Sequence, residues 1–158
     1  MRTNSRTARA ERAAASPAVA GFRPAILALA IGSAFGTPYA LHAQPVGGQA
    51  ILGTAAAATS GNTTVITTTN GPGTSHSVIN WQSFSVPGGT ITRFQQPGAD
   101  STSINRVLGN NPSQIFGTLS SNGKLVLVNP SGIAVGAGAV VDTASFTAST
   151  LKMREADA

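Results

Sequence analysis

The 158-residue chain contains no cysteine. That excludes disulfides, thiolate metal sites and thiol nucleophiles together. Charge is also scarce, at 9% of residues, against about 25% in an ordinary soluble domain. Aromatics make up only 5%. No apolar run is long. The longest, Pro24 to Phe35, falls short of the ~20 residues that span a bilayer as a helix. Acidic groups are few and scattered. Beyond residue 43 the chain has one histidine, His76, and two acids before its last residues, Asp100 and Asp142. Neither a metal set nor a close carboxylate pair for acid–base hydrolysis can be assembled from them. No cofactor is expected. Gly71-Pro-Gly73 and Gly136-Ala-Gly138 lack the further glycine and lysine of a phosphate loop. The 18 glycines and 9 prolines have no three-residue period, which excludes collagen.

What is present begins with a misleading charge. The net charge is +5 and the isoelectric point about 11.2, values that invite a nucleic-acid reading. Yet Arg2, Arg6, Arg9, Arg12 and Arg23, against Glu11, place +4 at the extreme N-terminus, between Met1 and Arg23. The rest carries only +1, and no nucleic-acid partner is expected. Basic residues, a short apolar core and the small residues of Tyr39-Ala-Leu-His-Ala43 form the three parts of a secretory signal. Cleavage is expected between Ala43 and Gln44, after export by the Sec machinery. A transit peptide shares the arginine-rich start but not the compact apolar core.

From Gln44 onward no helical periodicity occurs. Short β-rich runs alternate with turn residues instead. The runs cover residues 63–69, 77–86, 90–95, 103–108, 114–119, 124–128 and 144–148. Breaks at Asn70-Gly-Pro-Gly73, Pro87-Gly-Gly89, Gly109-Asn-Asn-Pro112, Asn122-Gly123 and Asn129-Pro-Ser-Gly132 separate them. Residues 78–86 read as alternating, whereas Leu125 to Val128 read as buried on both sides. Residues 44–62 are Gly/Ala-rich and weak in β signal, and suit an N-terminal cap. Asn111-Pro-Ser-Gln-Ile115 recurs 18 positions later as Asn129-Pro-Ser-Gly-Ile133. An offset near 20 suits one coil of a β-solenoid. An antiparallel sandwich also accommodates these runs, with Asn122-Gly123 as a hairpin signal.

Residues 78–86 (Val-Ile-Asn-Trp-Gln-Ser-Phe-Ser-Val), Phe94-Gln-Gln-Pro97, Ile104-Asn-Arg-Val107, Pro112-Ser-Gln-Ile-Phe-Gly117, Val126-Leu-Val-Asn-Pro-Ser-Gly-Ile133 and Phe146-Thr-Ala-Ser-Thr-Leu151 closely resemble the filamentous haemagglutinin N-terminal domain. This is the secretion, or haemagglutination activity, domain of two-partner-secretion exoproteins. The motifs run in the family's order from about Gln44 to Leu151. The resemblance implies an all-β, right-handed parallel β-helix with an N-terminal cap. It divides the chain into a signal at 1–43, a secretion domain at 44–151 and a tail at 152–158. The family's usual Asn-Pro-Asn-Gly turn reads Asn129-Pro130-Ser131-Gly132-Ile133 here, with Ser131 in place of asparagine. Because family domains usually continue for further coils, the chain is expected to be a truncated piece of a longer exoprotein. A missing set of coils would leave an unpaired, association-prone edge.

The resemblance implies a non-enzymatic function. A dedicated outer-membrane β-barrel transporter would recognise the exported chain, which would then coil outside the cell, secreted or held at the surface. Asn111 and Pro112, with Asn129 to Ile133, are the expected secretion and turn motif. Trp81, Phe84, Phe94 and Phe116 are expected to fill the core or the cap. A second reading is a surface adhesin domain with a host glycan or protein receptor, in which Trp81, Phe84 and Phe94 would form a stacking platform. A third, a β-helix carbohydrate-active enzyme, lacks the clustered acids it needs. Arg93 and Arg106 are read either as a pair on one face for an acidic partner or as two solvated charges. His76 is read as a solvated loop residue.

Overall fold

The computed structural model describes residues 44–157. The expected signal and its terminal Ala43 lie outside the described residues. The fold is all-β: among the described residues there are twelve strands, of which β3 to β12 build a solenoid of about three turns. Each turn has three sides. One side stacks β3 (Thr63–Thr69), β5 (Ile91–Gln95), β8 (Thr118–Ser121) and β11 (Val140–Asp142). The next stacks β4 (His76–Trp81), β6 (Thr102–Val107), β9 (Lys124–Val128) and β12 (Ser145–Ser149). The third pairs β7 (Ser113–Ile115) with β10 (Ile133–Val135), and Val86 bridges to Ile115 ahead of them. All these pairings are parallel. The sandwich alternative is thereby excluded, because Asn122-Gly123 turns a corner between two different sheets.

Two strands run the other way. β1 (Gln49–Leu52) pairs antiparallel with β4, and β2 (Thr54–Ser60) pairs antiparallel with β3. They cover the first coil and form the cap expected of residues 44–62. The weak β signal there conceals two real strands. Ala55 to Ala58 have little intrinsic strand preference, and β2 draws its conformation from its continuous register with β3, from Thr54 opposite Thr69 to Ser60 opposite Thr63.

The core follows from the period-2 geometry of stacked strands. Thr64, Ile66 and Thr68 of β3 point inward and are buried, while Thr67 and Thr69 are exposed. Inward ladders run Thr64–Thr92–Leu119 and Ile79–Asn105–Leu127, and Val86 stacks on Ile115. Trp81 lies edge-on to Phe84 (5.6 Å, 71°), and Phe84 stacks on Phe94 (6.2 Å, 27°). All three rings are buried. Gly48, on the approach to β1, lies against the Trp81 ring, where a Cβ would collide with the indole.

Several local expectations change. The 77–86 run ends as a strand at Trp81, and both Val78 and Ile79 are buried, so it does not alternate cleanly. The 114–119 run is two strands with a corner at Phe116-Gly117. Val126 is only half-buried within the apolar run of β9. His76 is the half-buried first residue of β4, not a loop residue. Phe116 is 38% exposed and lies outside the core.

Among the described residues, amide side chains hold several corners. Asn62 Nδ2 donates to Gly89 O (2.8 Å), and Asn70 Nδ2 donates to Ser101 Oγ (3.1 Å). Asn122 clamps Gln96 in both directions, accepting from its N–H and donating to its carbonyl, each at 2.8 Å. Every such bond ties one coil to a neighbour.

Candidate functional site

The expected motif lies at the corner between β9 and β10. Asn129 leaves β9, and Pro130 fixes φ at a value suited to a turn. Asn129 Oδ1 accepts from the Ser131 N–H (2.9 Å), closing an Asx turn. Gly132 N–H donates to Asn129 O (3.0 Å). Gly132 has φ +116, a backbone conformation that favours glycine. The turn survives the serine because it uses the backbone N–H of Ser131. The Ser131 hydroxyl itself reaches back to Gly109 O at 3.5 Å.

Asn129 does more than shape its own corner. Its side chain is fully buried. Its Nδ2 donates to Asn111 O (3.0 Å) and to the buried Ser113 Oγ (2.9 Å) on the preceding coil. The sequence echo therefore does mark stacked corners, but its offset is not the coil register. Ser113 pairs with Ile133, two positions beyond the Ser131 that the echo matches to it. Asn111 and Pro112 are exposed, and Asn111 takes part in the clamp only through its backbone carbonyl. The two asparagines are thus unequal: one is a buried clamp, the other an exposed surface residue. Ile133 is half-buried against the core.

Phe116 has a specific seat. Its ring lies over Gly136, where a Cβ would collide with Phe116 Cδ1. Gly136→Ala is expected to force the ring aside and cost about 1–3 kcal/mol, the usual range for overpacking. A urea-midpoint comparison checks this, and Phe116→Ala in the same chain should recover most of the loss.

Gln44 is half-buried and accepts a hydrogen bond from the Thr64 hydroxyl. Arg93 and Arg106 do not share a face, since Arg93 is on β5 and Arg106 on β6 in different sheets. Arg93 is exposed, whereas Arg106 is buried, so neither reading of the pair holds for both. Asp100 is exposed in a turn and Asp142 is exposed on β11. Among the described residues no group of three His, Cys, Asp or Glu is placed to hold a metal. Ser85 and Ser113 hydroxyls accept from Gln114 N–H (3.1 Å) and Asn129 Nδ2, respectively, and serve as structural acceptors.

One buried polar centre is not foreseen from the sequence. Asn105 Oδ1 accepts the Trp81 indole N–H at 2.9 Å, inside the core. Its Nδ2 donates to Ser103 O (3.1 Å), Ser103 Oγ (3.2 Å) and Val126 O (3.4 Å). The alternation Ser103, Asn105, Val107 is the signal that could have shown it pointing inward.

Comparison with known proteins places this arrangement. Residues 44–158 match the model of the TPS secretion domain. The chain is 38% identical over 106 residues to a heme/hemopexin-binding protein of Haemophilus influenzae, covering 67% of this chain and 11% of that protein. A second heme/hemopexin-binding protein of Haemophilus influenzae is 38% identical over 78 residues, covering 49% and 8%. The crystal structure of the HMW1 secretion domain from Haemophilus influenzae superposes with a TM-score of 0.66 at 35% identity, covering 72% of this chain and 29% of that one. The chain thus spans a small part of the length of these relatives.

Proposed function

Because the chain belongs to the TPS secretion domain family, we propose that residues 44–158 act as the targeting module of a longer exoprotein and that a dedicated outer-membrane β-barrel transporter recognises them. The observation that carries this is the family match over every described residue of the solenoid. The domain is a secretion domain and not an enzyme. Residues 1–43 serve as the Sec signal, removed after Ala43, and the product is secreted or held at the cell surface.

Strand addition is the recognition chemistry best suited to this chain. An exported strand offers main-chain hydrogen bonds to a sheet edge and alternate side chains to its pockets. The Asn-Pro-Ser-Gly corner contributes by presenting the chain, with exposed Asn111, Pro112, Pro130 and Ser131 as its outer surface. A host-receptor reading through aromatic stacking loses its support, since Trp81, Phe84 and Phe94 face the interior.

The test is co-expression of the full chain with and without its cognate transporter. Release into the medium is expected only with the transporter. Asn111→Ala with Pro112→Ala is expected to reduce release several-fold while leaving periplasmic amounts unchanged. Transporter-independent release would remove the assignment.

A further inference from the structure

Arg106 sits on the outer side of β6, in register with Asn80 on one side and Val128 on the other. Both Arg106 and Val128 are buried, yet they stand apart from the interior core, which takes Val107 and Leu127 from the same strands. One ladder away on the same outer side, Ile104 and Val126 are only half-buried. The outer face is therefore covered locally, at its Arg106–Val128 end. The residues after β12 supply that cover. Lys152 and Met153 share one cavity with Arg106 and Val128 and a second with Val128 and Ser149.

The cover is weakly held. Between Leu151 and Asp157 only Met153 is half-buried, and the others are exposed. A space of about 270 Å³ is left among Arg106, Val128 and residues 152–154. The Arg154–Asp157 pair at 2.9 Å closes a turn within the segment itself and does not tie it to the sheet. Exposed pairs of this kind contribute little in any case.

It is also opposed by charge. Arg106 Nε and Nη1 are sealed from solvent without a hydrogen-bond partner, and a cation buried unpaired is strongly unfavourable. Lys152 and Arg154 bring two more positive charges to the same place. Asp157 does not compensate, because Arg154 engages it through Nε at 2.9 Å, Nη2 at 3.1 Å and the backbone N–H at 3.2 Å.

We propose that residues 151–157 form a displaceable strap. Closed, it covers Arg106, Val128 and the flank of Pro130. Open, it leaves the Arg106 guanidinium in water and uncovers a cationic, partly apolar patch beside the Asn129–Pro130 corner. The half-burial of one methionine favours the closed state, and the desolvated arginine favours the open one. With such opposed contributions both states are populated, and small changes shift the balance. The strap belongs to the folded domain and is independent of the export reading.

Met153 reports the state directly, since the only other methionine is Met1. The purified full chain, with isotope-labelled methionine methyls, is titrated with a soluble paramagnetic agent, and relaxation of the Met153 methyl measures its exposure. Arg106→Leu removes the buried charge. It is expected to lower Met153 exposure at least about twofold and to raise the urea midpoint rather than lower it. Lys152→Glu, at an exposed residue, replaces a repelling charge by an attracting one and should lower Met153 exposure in the same direction. It decides the matter if Arg106→Leu fails to fold. Met153 exposure unchanged by Lys152→Glu, or increased by Arg106→Leu, would overturn the proposal.

Discussion

Asn129→Ala is expected to destabilise the solenoid by about 2–4 kcal/mol, whereas Asn111→Ala should have almost no effect. The difference rests on what each side chain does. Asn129 is fully buried and makes three bonds, to Ser131 N–H, Asn111 O and Ser113 Oγ. Its removal opens the Asx turn and leaves the buried Ser113 hydroxyl without this donor. Each buried group so orphaned costs about 1–3 kcal/mol. Asn111 contributes its carbonyl, which alanine retains. Exposed substitutions of that kind usually stay within about 0.5 kcal/mol. Urea unfolding of both variants, followed by fluorescence of the single tryptophan, Trp81, compares them directly. Equal losses would show that the corner is held by its proline and glycine rather than by the buried amide.

The second large effect is expected at Asn105. Asn105→Leu keeps the side-chain volume between Ile79 and Leu127 but removes the acceptor of the Trp81 indole. The orphaned N–H should cost about 2–3 kcal/mol. The informative variant is the double one. Replacing both partners by apolar groups leaves no donor unsatisfied, so Trp81→Phe with Asn105→Leu should cost less than the sum of the single losses by roughly 1 kcal/mol or more. Far-UV circular dichroism in urea measures all three variants. Strict additivity would mean that the indole finds another acceptor once Asn105 is gone.

These residues also mark how far the fold can be read from the chain. β3 and β9 fall on the bounds of the runs 63–69 and 124–128, because both are strongly β-branched or apolar and end at asparagine. β1 and β2 are illegible as strands. Alanine and threonine at 54–60 carry no period, and only pairing with β3 makes them β. The echo of Asn-Pro-Ser points to coiling, yet not to its register. The coil length is not constant: the step from Thr63 to its stacked partner Ile91 is longer than the step from Lys124 to Ser145. Corner loops absorb the difference, so no fixed repeat survives in the sequence. The candidate site is half visible. Its motif marks the Asn129 corner, but the inequality with Asn111 depends on burial that composition does not encode. Arg106 is unreadable for the same reason, since residues 152–154 that help enclose it are remote in sequence.

The antiparallel cap gives the molecule a direction. At the β1–β2 end, strands of opposite sense close the first coil. At the other end, β10, β11 and β12 each have a strand neighbour on one side only among the described residues. The side chains there are less buried, with Val135 55% and Val140 50% exposed. β1 and β2 also have one strand neighbour each, so the described coils present a sheet edge at both ends. The two ends differ in sense: a strand continuing the parallel stack in chain order meets β10, β11 or β12, whereas the edges at the first coil belong to strands that run the other way.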